Sequence, residues 1–273
     1  MPEGDTIYKV ADRLADGLLL RPIVGVQLGS EPMAELANVH VTDVRSIGKH
    51  LLLDFSCGLT LHNHLGLYGS WHAYGPTESW RKPAWRASVV VRLRDAVYVC
   101  FNARTAALLR SDRLARHPAL RRLGPDLTRA EPTHDALLRR ARKRPSSTPL
   151  ADVLLDQTIA AGIGNVYKCE VLFLNGVHPA AALGSVPDAR LTELYQTAHT
   201  LLGANLGFWP RTTRGASSRH ARADRLWVYG NHGQPCFRCG GTIVRAMLGN
   251  PLRVTDWCPQ CQPAAQTCPK VFR

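Results

Sequence analysis

Leu155-Asp156-Gln157-Thr158-Ile159-Ala160-Ala161-Gly162-Ile163-Gly164-Asn165-Val166-Tyr167 is the stretch on which the architecture turns. Two glycines one residue apart give the backbone the freedom a tight turn needs, and the apolar runs on either side have helical character. The stretch reads as a joint between a helix over residues 150–161 and another over 165–175. A helix that opens at Asn165 leaves its first N–H groups without intrahelical partners, and the Asn165 side chain can join them in holding an anion. Further helices are predicted over 108–121, 133–142 and 188–202. Residues 139–147 form a basic connector, and the Arg- and Ser-rich stretch 203–225 reads as a loop.

Downstream lies a cysteine pattern. Cys236-Phe237-Arg238-Cys239 and Cys258-Pro259-Gln260-Cys261 are two Cys-x-x-Cys pairs separated by 18 residues. Thiolates so spaced can surround one Zn²⁺ tetrahedrally, and four of them close its coordination shell, so a single structural zinc is expected rather than a catalytic one. Residues 242–245 and 252–255 suit a hairpin between the knuckles, turned by Gly249-Asn250. The other four of the eight cysteines are scattered, and a reducing compartment is expected.

Upstream, Ile7, Val10, Ala11, Leu14 and Leu18 recur at helical spacing, with Asp5 or Thr6 placed to cap the helix start. From about residue 22 to 108 the pattern turns to short strands: 51–55, 60–62, 88–93 and 97–100. Several short strands behind one helix suggest a β-sandwich with a helix laid against it.

Composition bounds the partners. The 273 residues carry 45% hydrophobic content, enough for two folded domains, and a net charge of +13. From residue 141 onward there are 15 Lys or Arg against 7 Asp or Glu, so the excess is spread over folded parts rather than held in a tail. A polyanion is the expected partner. No stretch approaches the roughly 20 apolar residues of a membrane span. The acidic start argues against a signal peptide, and a cytoplasmic, nucleoid-associated protein of a bacterial cytosol is expected.

Three segments carry a resemblance. Pro2-Glu3-Gly4-Asp5, the stretch 155–167, and Val228-Tyr229-Gly230 through Cys261-Gln262 are similar, in this order, to the formamidopyrimidine-DNA glycosylase and endonuclease VIII family. The resemblance implies an α+β fold in three parts: an N-terminal catalytic β-sandwich domain with an N-terminal helix (1–115), a helix–two-turns–helix domain (133–225) and a zinc-ribbon finger (226–263). It implies damaged DNA as partner, a monomer, and a bifunctional glycosylase and abasic-site lyase of base excision repair.

The residues suit that chemistry. Removal of Met1 would free the secondary amine of Pro2, whose pKa of about 8 leaves part of it neutral and nucleophilic. Glu3 beside it is the natural general acid. Lys49 matches the family's lysine near the catalytic amine, Asn165 and Arg253 match its phosphate contacts, and Leu67-Tyr68 its wedge for the gap left by a flipped base. His62 and His64 form a His-x-His pair without a third ligand near in sequence, so strand or DNA-contact roles are expected of them.

Gly4 after Pro2-Glu3, the Leu67-Tyr68 wedge, and Phe101-Asn102-Ala103-Arg104-Thr105-Ala106-Ala107 in place of an Arg-Arg-Phe segment favour the endonuclease VIII branch, with oxidised pyrimidines as main substrates and β,δ-elimination. Thr6 stands where the family usually has Glu, and Asp5 is the nearest carboxylate. An oxidised-purine glycosylase, a predominantly abasic-site lyase and a catalytically silent zinc-ribbon DNA binder remain the alternatives.

Overall fold

The computed structural model describes residues 1–129, 133–207, 210–215 and 225–264, and divides into two compact units, Met1–Leu123 and Gly124–Arg273. The first is a β-sandwich. Its helix α1 (Gly4–Leu18) turns Ile7, Ala11, Leu14 and Leu18 inward, the 4-3-4 spacing of a single apolar stripe. The chain then runs through β1 (Gly25–Leu28), β2 (Glu31–Pro32), β3 (Val41–Ile47), β4 (His50–Phe55), β5 (Leu59–His64), β6 (Ser70–Tyr74), β7 (Ala87–Arg92), β8 (Val97–Phe101) and β9 (Thr105–Arg110), and closes on the short α2 (Pro118–Arg121). These strands make an antiparallel sheet ordered β2-β1-β7-β8-β6 and another ordered β3-β4-β5-β9. Val26, Val89 and Val91 of the first sheet meet Leu51, Leu53 and Leu61 of the second in one core, which α1 closes.

Two expectations change here. The cap of α1 falls on Glu3, whose carbonyl accepts from Thr6 and Ile7 N–H at 2.9 and 3.0 Å, so Asp5 and Thr6 lie inside the first turn. Residues 108–110 belong to β9 rather than to a helix. Their Ala- and Leu-rich neighbourhood favours helix locally, but six consecutive pairings with β5 decide the outcome. The helical region begins with a 3₁₀ segment at Ser111–Arg116.

The second unit contains α3 (His134–Ala141), α4 (Leu150–Leu155), α5 (Asn165–Leu174), α6 (Asp188–Gly203) and a hairpin of β10 (Val244–Leu248) and β11 (Arg253–Trp257). Leu150, Leu154, Tyr167, Val171, Leu194 and Leu202 share its helical core. The ribbon packs on α5 through Phe173, Val228 and Ile243. α4 stops at Leu155, six residues short of the expected end. Asp156 Oδ1 takes the N–H and hydroxyl of Thr158 at 2.9 and 2.7 Å, a local bond that competes with the helical ladder. Gln157 then ties the turn together, donating to Leu155 and Ile163 carbonyls and accepting from Gly162 N–H. The hairpin strands begin two and one residues later than expected, with residues 249–252 as the loop.

Candidate active site and DNA-binding elements

Pro2 is half-buried at the N-terminal end of α1, and Glu3 is 0% exposed. The dipole of α1 gives that end a partial positive charge, which disfavours a protonated amine beside it. Asp5 supplies a further carboxylate there, accepting from Lys9 Nζ and the Thr6 hydroxyl at 3.3 Å each. Leu20 N–H bonds to Val41 carbonyl, fixing the far end of α1 at the start of β3. The 15-residue helix and the seven-residue strand have nearly equal lengths, about 22 and 23 Å. Packed along β3, α1 therefore points its N-terminus toward the β3–β4 turn. That turn is Gly48-Lys49. Ile47 pairs with His50 across it, and Gly48 takes φ +56° at the first central position, where an L side chain would be strained.

Leu67 and Tyr68 project from the loop after β5, 48% and 78% exposed. Gly69 lets the loop fold tightly, because a Cβ there would lie 2.3 Å from the Leu65 carbonyl oxygen. Gly66 N–H donates to His64 Nδ1 at 3.1 Å, so the stem of the loop rests on an imidazole.

That imidazole belongs to a cluster the sequence shows only in part. β5 places His62 and His64 on one face, pairing across to β4 brings up His50, and the end of the 3₁₀ segment adds His117. Ring centroids stand 4.9–5.0 Å apart from His64 to His50, His50 to His62 and His62 to His117. His50 Nδ1 and His62 Nε2 share a hydrogen bond of 2.8 Å. Burial, and then the neighbouring imidazoles, push His50 down to about 3 and His62 to about 4; burial followed by Lys49 and Arg104 lowers His64. All three are uncharged in the fold at neutral pH. Because the unfolded chain binds protons that the fold excludes, His50 and His62 take up as many as two protons on unfolding between about pH 6.5 and 4. This exclusion costs nothing above about pH 6.5 and lowers stability as pH drops further, by up to roughly 2.7 kcal/mol per pH unit. The unfolding temperature of the protein should decline steeply across this window, and His62→Phe should flatten the decline. An unchanged pH profile in that variant would exclude the cluster as its source.

In the second unit Asn165 opens α5 with its side chain 7% exposed. Arg253 lies exposed at the start of β11. The thiols of Cys236, Cys239, Cys258 and Cys261 all fall within 4.8 Å of one another, with Cys236–Cys261 at 3.8 Å and Cys239–Cys258 at 3.5 Å. A tetrahedron of Zn–S bonds near 2.3 Å has edges of about 3.8 Å, so these residues fit the metal.

Two charged side chains of α5 are buried in ways that local sequence pattern does not specify. Glu170 is buried, which pushes its pKa up, and it accepts from the Thr213 hydroxyl and from Trp227, Val228 and Tyr229 N–H at 2.8–2.9 Å. It anchors the segment that leads into the ribbon. Lys168 is as fully enclosed. The available signal was a pair of charged residues in a helix otherwise apolar all round.

Residues 1–107 match the formamidopyrimidine-DNA glycosylase N-terminal domain, and residues 123–213 match the formamidopyrimidine-DNA glycosylase H2TH domain. The chain belongs to the formamidopyrimidine-DNA glycosylase family. Within this family it is 37% identical to the probable endonuclease 8 2 of Streptomyces coelicolor, over 96% of this chain and 94% of that one. It is 34% identical to the DNA-(apurinic or apyrimidinic site) lyase Nei2 of Mycolicibacterium smegmatis, covering 97% and 100%, and 32% identical to endonuclease 8 of Escherichia coli, covering 96% and 100%. The fold of this formamidopyrimidine-DNA glycosylase family member matches that of the Lactococcus lactis Fpg in complex with DNA containing N7-benzyl-Fapy-dG, with a TM-score of 0.83 at 22% identity, over 96% and 100% of the two chains. The α+β architecture read from the sequence is the one observed, and the enzyme class is DNA glycosylase with abasic-site lyase activity. Among the described residues no helix is long and apolar enough to cross a membrane.

Proposed function

We propose that the protein excises oxidised pyrimidines from DNA through a Schiff base on Pro2, then cleaves the strand by β,δ-elimination. The observation that carries this reading is Pro2 followed by the buried Glu3 at the positive end of α1, in a chain of this family. The lone pair of the Pro2 nitrogen forms a bond to C1′ while the glycosidic bond breaks, and the base leaves with that electron pair and a proton. Glu3 then gives a proton to the ring oxygen as C1′–O4′ opens to the iminium. Loss of a C2′ proton expels the 3′-phosphate, loss of a C4′ proton expels the 5′-phosphate, and water frees Pro2. Lys49 holds the lesion phosphate and disfavours protonation of the amine. Asn165 and Arg253 grip neighbouring phosphates, Leu67 and Tyr68 fill the emptied stack, and a zinc held by the four cysteines would keep the Arg253 hairpin in shape.

The pyrimidine preference is supported by the turn between β8 and β9, made of Asn102, Ala103 and Arg104 alone, without the Arg-Arg-Phe of the purine branch. Duplexes carrying thymine glycol, 8-oxoguanine opposite cytosine, or an abasic site distinguish the readings. Thymine glycol and abasic duplexes should be nicked, with 8-oxoguanine slower by at least about tenfold in kcat/KM, the scale set by one missing base contact. Equal or faster cleavage at 8-oxoguanine would move the protein to the purine branch, and cleavage at the abasic site alone would make it a lyase.

A further inference from the structure

The first turn of α5 encloses a cation. Lys168 is 0% exposed among Val166, Tyr167 and Cys169, and among the described residues it makes no ion pair. Its three protons find three oxygens: Asn165 Oδ1 at 2.8 Å, Thr255 Oγ1 at 2.7 Å and Val254 carbonyl at 3.3 Å. Burial lowers its pKa, and the adjacent Cys169, then Asp256 and Asp152, offset part of that loss. A buried ammonium that lacks a carboxylate partner is costly, and a methionine of the same length would fill the space without that cost. The charge therefore calls for a role beyond packing.

Its effect on Asn165 supplies one. A side-chain amide can present either its oxygen or its nitrogen, and the choice follows from the hydrogen bonds around it. Here Oδ1 is taken by the ammonium, and Nδ2 donates one proton to the Val254 carbonyl at 2.7 Å. The second N–H of Nδ2 is left for a ligand at the start of the helix, where the helix dipole favours an anion. With a neutral, apolar residue at 168 the amide could turn over and offer its carbonyl oxygen, which repels a phosphate. Thr255 extends the same network, accepting from Lys168 and donating to the Arg253 carbonyl at 3.1 Å.

We propose that Lys168 is a positioning residue for DNA binding, locking the Asn165 amide with its donor outward beneath the phosphate. The proposal rests on the reading of Asn165 as a phosphate ligand. A double-mutant cycle tests it, using equilibrium binding of the zinc-loaded full chain to a duplex with a tetrahydrofuran abasic-site analogue, with unfolding temperatures measured alongside. Asn165→Ala should weaken binding by roughly tenfold, as loss of a charge-assisted hydrogen bond does, and Lys168→Met by a similar factor. In the Asn165→Ala background, Lys168→Met should change affinity by less than about threefold, while Lys168→Arg alone should recover most of the binding. Lys168→Gln replaces Lys168→Met if the latter does not fold. Equal losses from Lys168→Met in both backgrounds would reduce the lysine to a packing role and overturn the proposal. A loss in Asn165→Ala with none in Lys168→Met would overturn it while leaving the phosphate site intact. Full affinity in Asn165→Ala would remove the phosphate reading and the proposal together.

Discussion

Glu3→Gln should lower single-turnover excision of thymine glycol by about 10²- to 10⁴-fold, the usual contribution of a positioned general acid. The two side chains have the same shape, and the helix-capping bonds come from the Glu3 backbone carbonyl, so the fold should survive the change. Replacing the carboxyl group at the start of α1 changes its interaction with the helix dipole by at most about 0.3–1 kcal/mol, too little to explain a hundredfold effect. The loss should also depend on the substrate. A preformed abasic site already exists partly as an open-chain aldehyde, so it needs neither departure of a base nor opening of an intact glycoside. Nicking of that substrate should fall by a much smaller factor, and affinity for the tetrahydrofuran duplex should stay unchanged. Equal losses on the lesion and on the abasic site would assign Glu3 a structural part, and undiminished excision would remove it from the chemistry altogether.

What could be read in advance depended on how local the determining physics is. The stripe Ile7, Ala11, Leu14 and Leu18 needs only 3.6-residue periodicity, so α1 was legible, and two Cys-x-x-Cys pairs announced a four-thiol cluster that the structure assembles. The end of the strand Thr105–Arg110, residues 108–110, was not legible, because the local composition favours helix and only pairing with β5, more than 40 residues earlier, makes it a strand. The early end of α4 turns on one side chain, Asp156, bonding locally in preference to the helix.

The candidate site divides in the same way. Pro2, Glu3, Lys49, Asn165 and Arg253 stand out as motif positions, and the structure puts them at a helix start, a hairpin turn, a second helix start and a strand start. His62 and His64 were visible as a same-face pair, but His50 and His117 join them only through strand pairing and a 3₁₀ turn. Lys168 shows as a charge in an apolar helix, whereas its partners lie 86 and 87 residues away on β11. Contacts across such separations leave no trace in local pattern.

The central claim is that the nucleophile is the Pro2 amine. Its imine with C1′ is reducible, so borohydride should convert it to a stable amine that fixes protein to DNA, whereas a hydrolytic glycosylase without a covalent intermediate leaves nothing to trap. Acetylating the N-terminus should abolish trapping, since an amide nitrogen has no available lone pair, and should leave DNA binding unchanged. Pro2→Gly retains an α-amine and should trap more weakly, because a flexible primary amine loses the fixed ring geometry. The measurement is peptide mapping of the adduct formed with an abasic-site duplex in the presence of borohydride. The account predicts a single cross-linked peptide beginning at Pro2; an adduct on Lys49 or any other lysine, or none at all on a duplex that is nonetheless cleaved, would contradict it.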